Sequence, residues 1–231
     1  MAPGELAASM AHEVRTPLAS IRGAVEILGD AVPTDDPRRQ FVDVLVNETD
    51  RLDRYVGTVL EFARPPRPDL SPCDANEIVA STATLVAKQA KHEGVRLRIE
   101  CDERVVKDLY DAGLLRHALM NLVLNAIQAM PRGGVLTLKT TAVAEGGVVI
   151  DVADTGPGIS EEIKDRLFAP FATLRPGGTG LGLSIARRIA EQHGGSLTYE
   201  STVGQGTVFH MLLPGSSKTI RSTNHGVMDH T

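Results

Sequence analysis

The sequence predicts an α+β chain in two parts, a helical hairpin followed by helices packed on one face of a mixed sheet. Three observations carry this. Apolar residues recur at spacings of three and four as far as Phe62, the period of amphipathic helices. The run Arg64 to Pro72, R-P-P-R-P-D-L-S-P, cannot be helical and separates the parts. Beyond it, helical periods alternate with short runs of period two bounded by glycine. At 231 residues and 42% hydrophobic, the chain is long for one domain and comfortable for two small ones.

Residues from about Gly4 to Asp30 read as one long helix. At about 100° per residue, Leu6, Met10, Val14, Leu18, Ile21, Val25 and Leu28 fall within roughly 120° of arc. Pro17 is its internal flaw, removing one hydrogen bond and bending the helix. The run A-V-P-T-D-D-P breaks it. Phe41, Leu45, Glu48, Leu52, Tyr55, Val59 and Phe62 then alternate spacings of four and three, which predicts a second, antiparallel helix. Two such helices expose more apolar stripe than they cover between themselves, so the hairpin is expected to form a four-helix bundle in a homodimer. Glu48 on the stripe reads as a sign that the assigned phase is slightly off.

Residues 1–64 are thus the predicted hairpin and 65–72 an extended linker able to begin an edge strand. Residues 73–215 form the second domain and 216–231 an aperiodic tail expected to be disordered. Within the second domain Ala75 to Ala90 reads as helix, Val95 to Glu100 as strand, and Asp111 to Met130 as helix after a short strand near Val105. Gly134 to Ala142 and Val148 to Val152 follow as neighbouring strands. Leu181 to His193 is helical, and Ser196 to Glu200 with Thr207 to Leu213 form a closing pair.

The net charge of −5 and the lack of a Lys/Arg block argue against nucleic acid and against an anionic membrane surface. There is no apolar run of about 18 residues and no leader-like start, so this segment is expected to make no membrane contact. Cys73 and Cys101 have no metal-type spacing, which fits a reducing cytoplasm. The chain opens almost directly into a helix, the pattern of a segment that follows a sensor or membrane region in a longer protein.

Four stretches carry chemistry. In S-M-A-H-E-V-R-T-P, His12 falls almost opposite the apolar stripe of its own helix, so it projects toward solvent with Glu13 and Thr16 on its flanks. In N-L-V-L-N, Asn121 and Asn125 stand at i and i+4 with both amides on one face, where a side-chain carbonyl can help hold a hard cation. In D-V-A-D-T-G-P-G-I, Asp154 ends a strand as an acceptor for an amino group, and Gly156 and Gly158 let the backbone turn beside it. In G-G-T-G-L-G-L, Gly178, Gly180 and Gly182 expose amides near a helix start, a cradle for phosphate. It lacks the Lys-Ser/Thr of a P-loop and does not follow a strand, which disfavours the two common nucleotide folds.

In this order the stretches resemble the histidine-kinase catalytic domain of the GHKL (Bergerat) ATPase superfamily. N-L-V-L-N-A looks like its N box, D-T-G-P-G its first glycine box, L-F-A-P-F its F box and G-T-G-L-G-L its second glycine box. S-M-A-H-E-V-R-T-P is similar to the H box of the same sensor kinases. The resemblance implies an α/β sandwich that binds ATP and Mg²⁺ behind a dimerisation and histidine-phosphotransfer hairpin. It implies that His12 attacks the γ-phosphate, that Glu13 supports the imidazole, and that Thr16 serves dephosphorylation of a partner response regulator. Asp154 would read adenine, Asn125 would ligate Mg²⁺ with Asn121 supporting it, and the backbone of Gly178, Thr179, Gly180, Leu181 and Gly182 would cradle the phosphates. Arg175, the one cation between Phe168 and Ala186, is the candidate to neutralise the γ-phosphate. The short interval from Phe168 to Gly178, with N-A-I-Q-A-M-P, looks like the nitrogen-regulation and dicarboxylate-sensing branch. Ala172 and Leu174 depart from the Phe and Thr often found there.

The expected function is autophosphorylation on His12 and transfer to an aspartate of a receiver domain. The alternatives are a nucleotide-binding scaffold and a GHKL ATPase without phosphotransfer. ATPases of the chaperone and mismatch-repair kind place a catalytic glutamate where this chain has Asn121, so no base stands ready to activate water.

Overall fold

The computed structural model describes residues 3–33, 35–63, 65–143, 146–173 and 178–216, and the described side chains of the first helix begin at Val14. The chain divides into two compact units, Met1–Pro66 and Arg67–Thr231.

The first unit is a pair of helices, α1 (Pro3–Ala31) and α2 (Arg39–Ala63), and α1 runs through Pro17 without interruption. Their joint is closed by side chains. Arg39 donates to the carbonyls of Gly29 and Val32 at the α1 C-terminus, where a cation is favoured by the helix dipole. Asp36 accepts from the Arg38 backbone and guanidinium, which hold its carboxyl down at about 2. The helices approach closely at Gly29, where a Cβ would stand 2.9 Å from Val42 Cγ1.

Leu18, Val25 and Thr49 are buried between the helices, with Val42 and Val46 half-buried beside them. Arg15 bonds Asp53 at 3.0 Å and Arg22 bonds Asp50 at 2.6 Å along one flank of the seam. On α2 the face against α1 is therefore not the bulkier apolar stripe read from the sequence, and the phase is shifted as Glu48 indicated. Phe41, Leu45, Leu52 and Val59 are exposed, and Glu48 pairs with Arg51 at 3.2 Å in solvent. The sequence pattern records two apolar faces on α2, and the bulkier one is not used within the chain. On α1, Val14, Ile21 and Leu28, spaced by seven, are exposed in the same way.

The second unit contains β1 (Ser71–Cys73), α3 (Ala75–His92), β2 (Val95–Glu100), β3 (Asp108–Tyr110), α4 (Ala112–Ala129), β4 (Gly134–Ala142) and β5 (Gly147–Asp154). These are followed by α5 (Glu161–Lys164), α6 (Gly182–Gln192), β6 (Ser196–Thr202) and β7 (Gly206–Pro214). Five strands form one mixed sheet in the order β2-β4-β5-β7-β6, parallel only between β2 and β4, while β1 and β3 make a separate antiparallel pair. Aspartates set the helix starts. Asp74 accepts from Asn76 N–H before α3, and Asp111 accepts from Leu114 N–H before α4.

One sheet face supplies Leu136, Leu138, Ile150, Val152, Phe209, Met211 and Leu213 to the core, which α3, α4 and α6 complete with Val79, Leu115, Leu119, Leu122, Ile127 and Ile189. His193, just past α6, ties two helix ends together. Its Nδ1 donates to Ile189 O at 2.7 Å and its Nε2 accepts the Asp111 N–H at 3.0 Å, which fixes a neutral tautomer.

The expected strand near Val105 lies a few residues later, at Asp108–Tyr110. Asp102 accepts from the Arg104 and Ala142 N–H groups and turns the chain, so Val105 enters the core from a loop. The one-turn helix α5 was not expected. Ser216 N–H bonds the Asp108 carboxylate, and the predicted tail beyond it, 217–231, lies outside the described residues.

Candidate functional site

Asp154 is the last residue of β5, aligned with Leu136 on β4 and Thr207 on β7, and is 9% exposed. Its position comes from sheet register rather than from the loop that follows. Its Oδ1 accepts Gly156 N–H at 2.8 Å, and a Cβ on Gly156 would stand 2.8 Å from that oxygen and 3.3 Å from Ala129 O. Only glycine lets the loop pass this closely between the carboxylate and the end of α4. Thr155 accepts Val135 N–H at 3.0 Å, and Gly158, at φ 75°, presses on the carbonyl of Thr202.

Asn121 and Asn125 stand one turn apart on α4, both half-buried. Gly182, the first residue of α6, faces Asn121, whose Oδ1 would lie 3.4 Å from a Cβ there. The Asn121 Nδ2 is buried without a protein partner, so its amide keeps an unused donor. The start of α6 carries no side-chain cap. Leu181 anchors it, fully buried, with its carbonyl taking Ile185 N–H and the Ser184 hydroxyl, while Thr179 Oγ1 accepts Leu181 N–H at 3.3 Å. The amides of the first α6 turn have no partner within the helix, and the dipole there favours negative charge. Gly180, at φ 65°, packs on Phe171, itself at φ 63°, so the two sides of the intervening segment meet.

Two of the predicted stretches therefore abut α4, which carries the asparagine pair itself, Gly156 at Ala129 and Gly182 at Asn121. Eight residues of helix separate those contacts, about 12 Å. A buried acceptor carboxylate lies at one end and an anion-favouring helix start at the other, with Asn125 between. Among the described residues no group of three or more His, Cys, Asp and Glu could hold a metal ion. The donor set suits a hard cation only where the ligand supplies further oxygens, as a polyphosphate does.

Arg175 falls in 174–177, outside the described residues, and so do the side chains of His12 and Glu13 on α1. Thr16 is exposed on that helix. Three neighbours were missed from the sequence. Thr207, 5% exposed, stands opposite Asp154, and the G-Q-G-T run before β7 was its signal. Arg187 lies over the ring of Phe168 at 5.3 Å and bonds Glu191, and Phe168 in turn packs edge-on against Tyr199 and Phe209. Ser201 accepts Ile159 N–H at 2.9 Å, a tertiary contact that no local pattern announces.

Residues 110–217 match the family model described as histidine kinase-, DNA gyrase B- and HSP90-like ATPase, and residues 3–68 match that of the His Kinase A (phospho-acceptor) domain. Sensor histidine kinase ZraS of Klebsiella oxytoca is 36% identical over 214 residues, covering 93% of this chain but 46% of ZraS, so the chain spans under half the length of that relative. Full-length ShkA, crystallised in complex with AMPPNP, superposes with a TM-score of 0.82 at 30% identity, over 93% of this chain and 46% of ShkA. The catalytic domain of histidine kinase ThkA matches at 30% identity and a TM-score of 0.57, over 64% of this chain and 96% of that one. ThkA in complex with the response regulator protein TrrA matches at 27% identity and 0.68, over 93% of this chain and 62% of ThkA.

Proposed function

Because the chain belongs to the sensor histidine kinases, we propose that it moves the γ-phosphoryl group of ATP to His12 and then to an aspartate of a response-regulator receiver domain. The observation that supports this best is that the loop of buried Asp154 and the uncapped start of α6 both lie on α4, at contact points about 12 Å apart along the helix, the scale of a purine joined to a polyphosphate. Asp154 accepts from the adenine amino group. The amides of Gly178 to Gly182 receive the phosphates.

His12 attacks phosphorus through one neutral ring nitrogen. A nitrogen–phosphorus bond forms, the bond to the bridging oxygen breaks, and ADP leaves. Glu13 accepts from the other ring nitrogen and stabilises the imidazolium. Asn125, supported by Asn121, is the residue to hold Mg²⁺, which when bound offsets the charge on the phosphates. Arg175 is the candidate cation to neutralise the γ-phosphate. Thr16 orients water for loss of phosphate from the regulator.

The hairpin forms its four-helix bundle as a homodimer, and the seven-residue repeats Val14-Ile21-Leu28 and Leu45-Leu52-Val59 are the surfaces for the second copy. No helix among the described residues is long and apolar enough to cross a membrane, and a cytoplasmic place for this segment follows from its use of ATP. The short Phe168–Gly178 interval favours a regulator of the enhancer-dependent transcription type.

Labelling with γ-phosphate-labelled ATP tests the reading. The wild-type chain should gain acid-labile, alkali-stable label, and His12→Gln should gain none while still binding ATP. His193 has both ring nitrogens occupied and cannot substitute. Label retained on His117 in the variant would overturn the assignment of His12. In the same assay Thr16→Ala should keep autophosphorylation within about threefold and lose most regulator dephosphorylation. Equal decay of the phosphorylated regulator with wild type and variant would remove Thr16 from that role.

A further inference from the structure

The glycine-rich loop after Asp154 is gripped from outside by the turn between β6 and β7. Gly204 N–H donates to Pro157 O at 2.8 Å, Ser201 Oγ accepts Ile159 N–H at 2.9 Å, and Thr202 O presses on Gly158 where no Cβ fits. The hydroxyl of Ser201 also lies 3.1 Å from Gly206 O and 3.0 Å from Thr207 Oγ1. One arrangement satisfies every group. Ser201 accepts from Ile159 N–H and from the Thr207 hydroxyl and donates to Gly206 O, filling both lone pairs and using its one proton. Gly206, at φ 114°, allows this because a Cβ there would strike Asp154 O. The far side of the loop is thus bound, through one hydroxyl, to the strand residue aligned with Asp154.

We infer that Ser201 is a positioning residue for nucleotide binding, its hydroxyl holding the Gly158–Ile159 peptide so that the loop is formed before ATP arrives. The inference rests on the ATP-binding reading above. A preformed loop spares the ligand the ordering of five residues, Thr155 to Ile159. Loss of the hydroxyl should therefore appear in binding and not in the chemical step, because what Ser201 holds is a loop amide and not a reacting group. Shape alone does not explain the site, since threonine and valine have the same shape there and only one carries the hydroxyl.

The test compares Ser201→Thr with Ser201→Val in the full chain. Ser201→Val should raise the KM for ATP about fivefold with kcat within twofold, and speed hydrogen exchange at the Ile159 amide in the nucleotide-free protein at least tenfold. Ser201→Thr should stay within twofold of wild type in all three. Wild-type values for Ser201→Val would overturn the inference, as would equal damage from both variants with matching falls in Tm, the mark of a packing role. Failure of the wild-type chain to bind ATP would instead overturn the underlying reading, and this inference with it.

Discussion

Replacing Asp154 by alanine and by asparagine separates two duties of one carboxylate. Its Oδ1 accepts Gly156 N–H at 2.8 Å, which shapes the loop, and the group is buried at the end of β5, where the proposed function has it accept from the base. Alanine removes both acceptors. Asparagine keeps an oxygen for Gly156 but brings an amide donor toward the adenine amino group, so donor faces donor. A buried amino group left without its acceptor costs about 1 to 3 kcal/mol, which is roughly 5-fold to 150-fold in Kd. Both variants should weaken ATP binding by that factor, asparagine at least as much as alanine. Alanine should lower stability further, by about 1 kcal/mol for the lost turn contact. Calorimetry with ATP and with inosine triphosphate, whose base lacks the amino group, isolates the first duty. Wild type should prefer ATP, and Asp154→Ala should lose most of that preference. An unchanged ATP affinity, or a preference that survives the substitution, would place base recognition elsewhere.

Assembly and acid sensitivity give two further tests. Leu52, midway between Leu45 and Val59 on the uncovered stripe, does not pack against α1, so Leu52→Glu should convert a dimer to a monomer in sedimentation with the helical circular dichroism retained. A dimer that persists would put the partner on another face. Asp111 starts α4 and also accepts Asp69 N–H at 2.9 Å. Burial pushes its carboxyl up, but the amides of Leu114, Asp69 and Gly113 outweigh this and hold it below its ordinary value of 3.8. A depressed carboxylate stabilises the fold above about that pH and ceases to do so as the pH falls through the lower folded value. Asp111→Ala should therefore cost about 1 kcal/mol at neutral pH and flatten, without abolishing, the loss of stability below about pH 4. Urea titrations at pH 7 and pH 3 check this, and parallel losses in both proteins would show that Asp111 does not contribute to the acid response.

Most helices and strands of the second unit were legible because each buries one face and so shows a clean period. Val95 to Glu100 and Gly134 to Ala142 are strands at the residues expected. Val105 misled because an apolar residue in a polar stretch reads as strand, whereas here the Asp102 side chain forms the turn and a single valine plugs the core from it. The split of α2 into two apolar faces was not legible for a different reason. Periodicity adds all apolar contacts of a helix together and does not say which are made within one chain. Phe41, Leu45, Leu52 and Val59 dominate the pattern by size, while Val42, Val46 and Thr49 do the packing against α1.

The site was legible where its chemistry is local and hidden where it is held from a distance. Asp154, the asparagine pair and the α6 glycines each sit in a short run whose residue types single it out. That their runs converge does not follow from spacing. Convergence comes from α4, which carries Asn121 and Asn125 and is touched by Gly156 and Gly182 eight residues apart. The same holds for Ser201, some forty residues from the loop it grips, in a strand where serine has no local motif. Glycine marks these contacts better than the polar residues do. At Gly156 a Cβ would crowd the Asp154 carboxylate and Ala129 O, at Gly158 the carbonyl of Thr202, and at Gly182 the Asn121 amide. These three glycines therefore name surfaces that must come close, and the pairs they name bring the candidate site residues together.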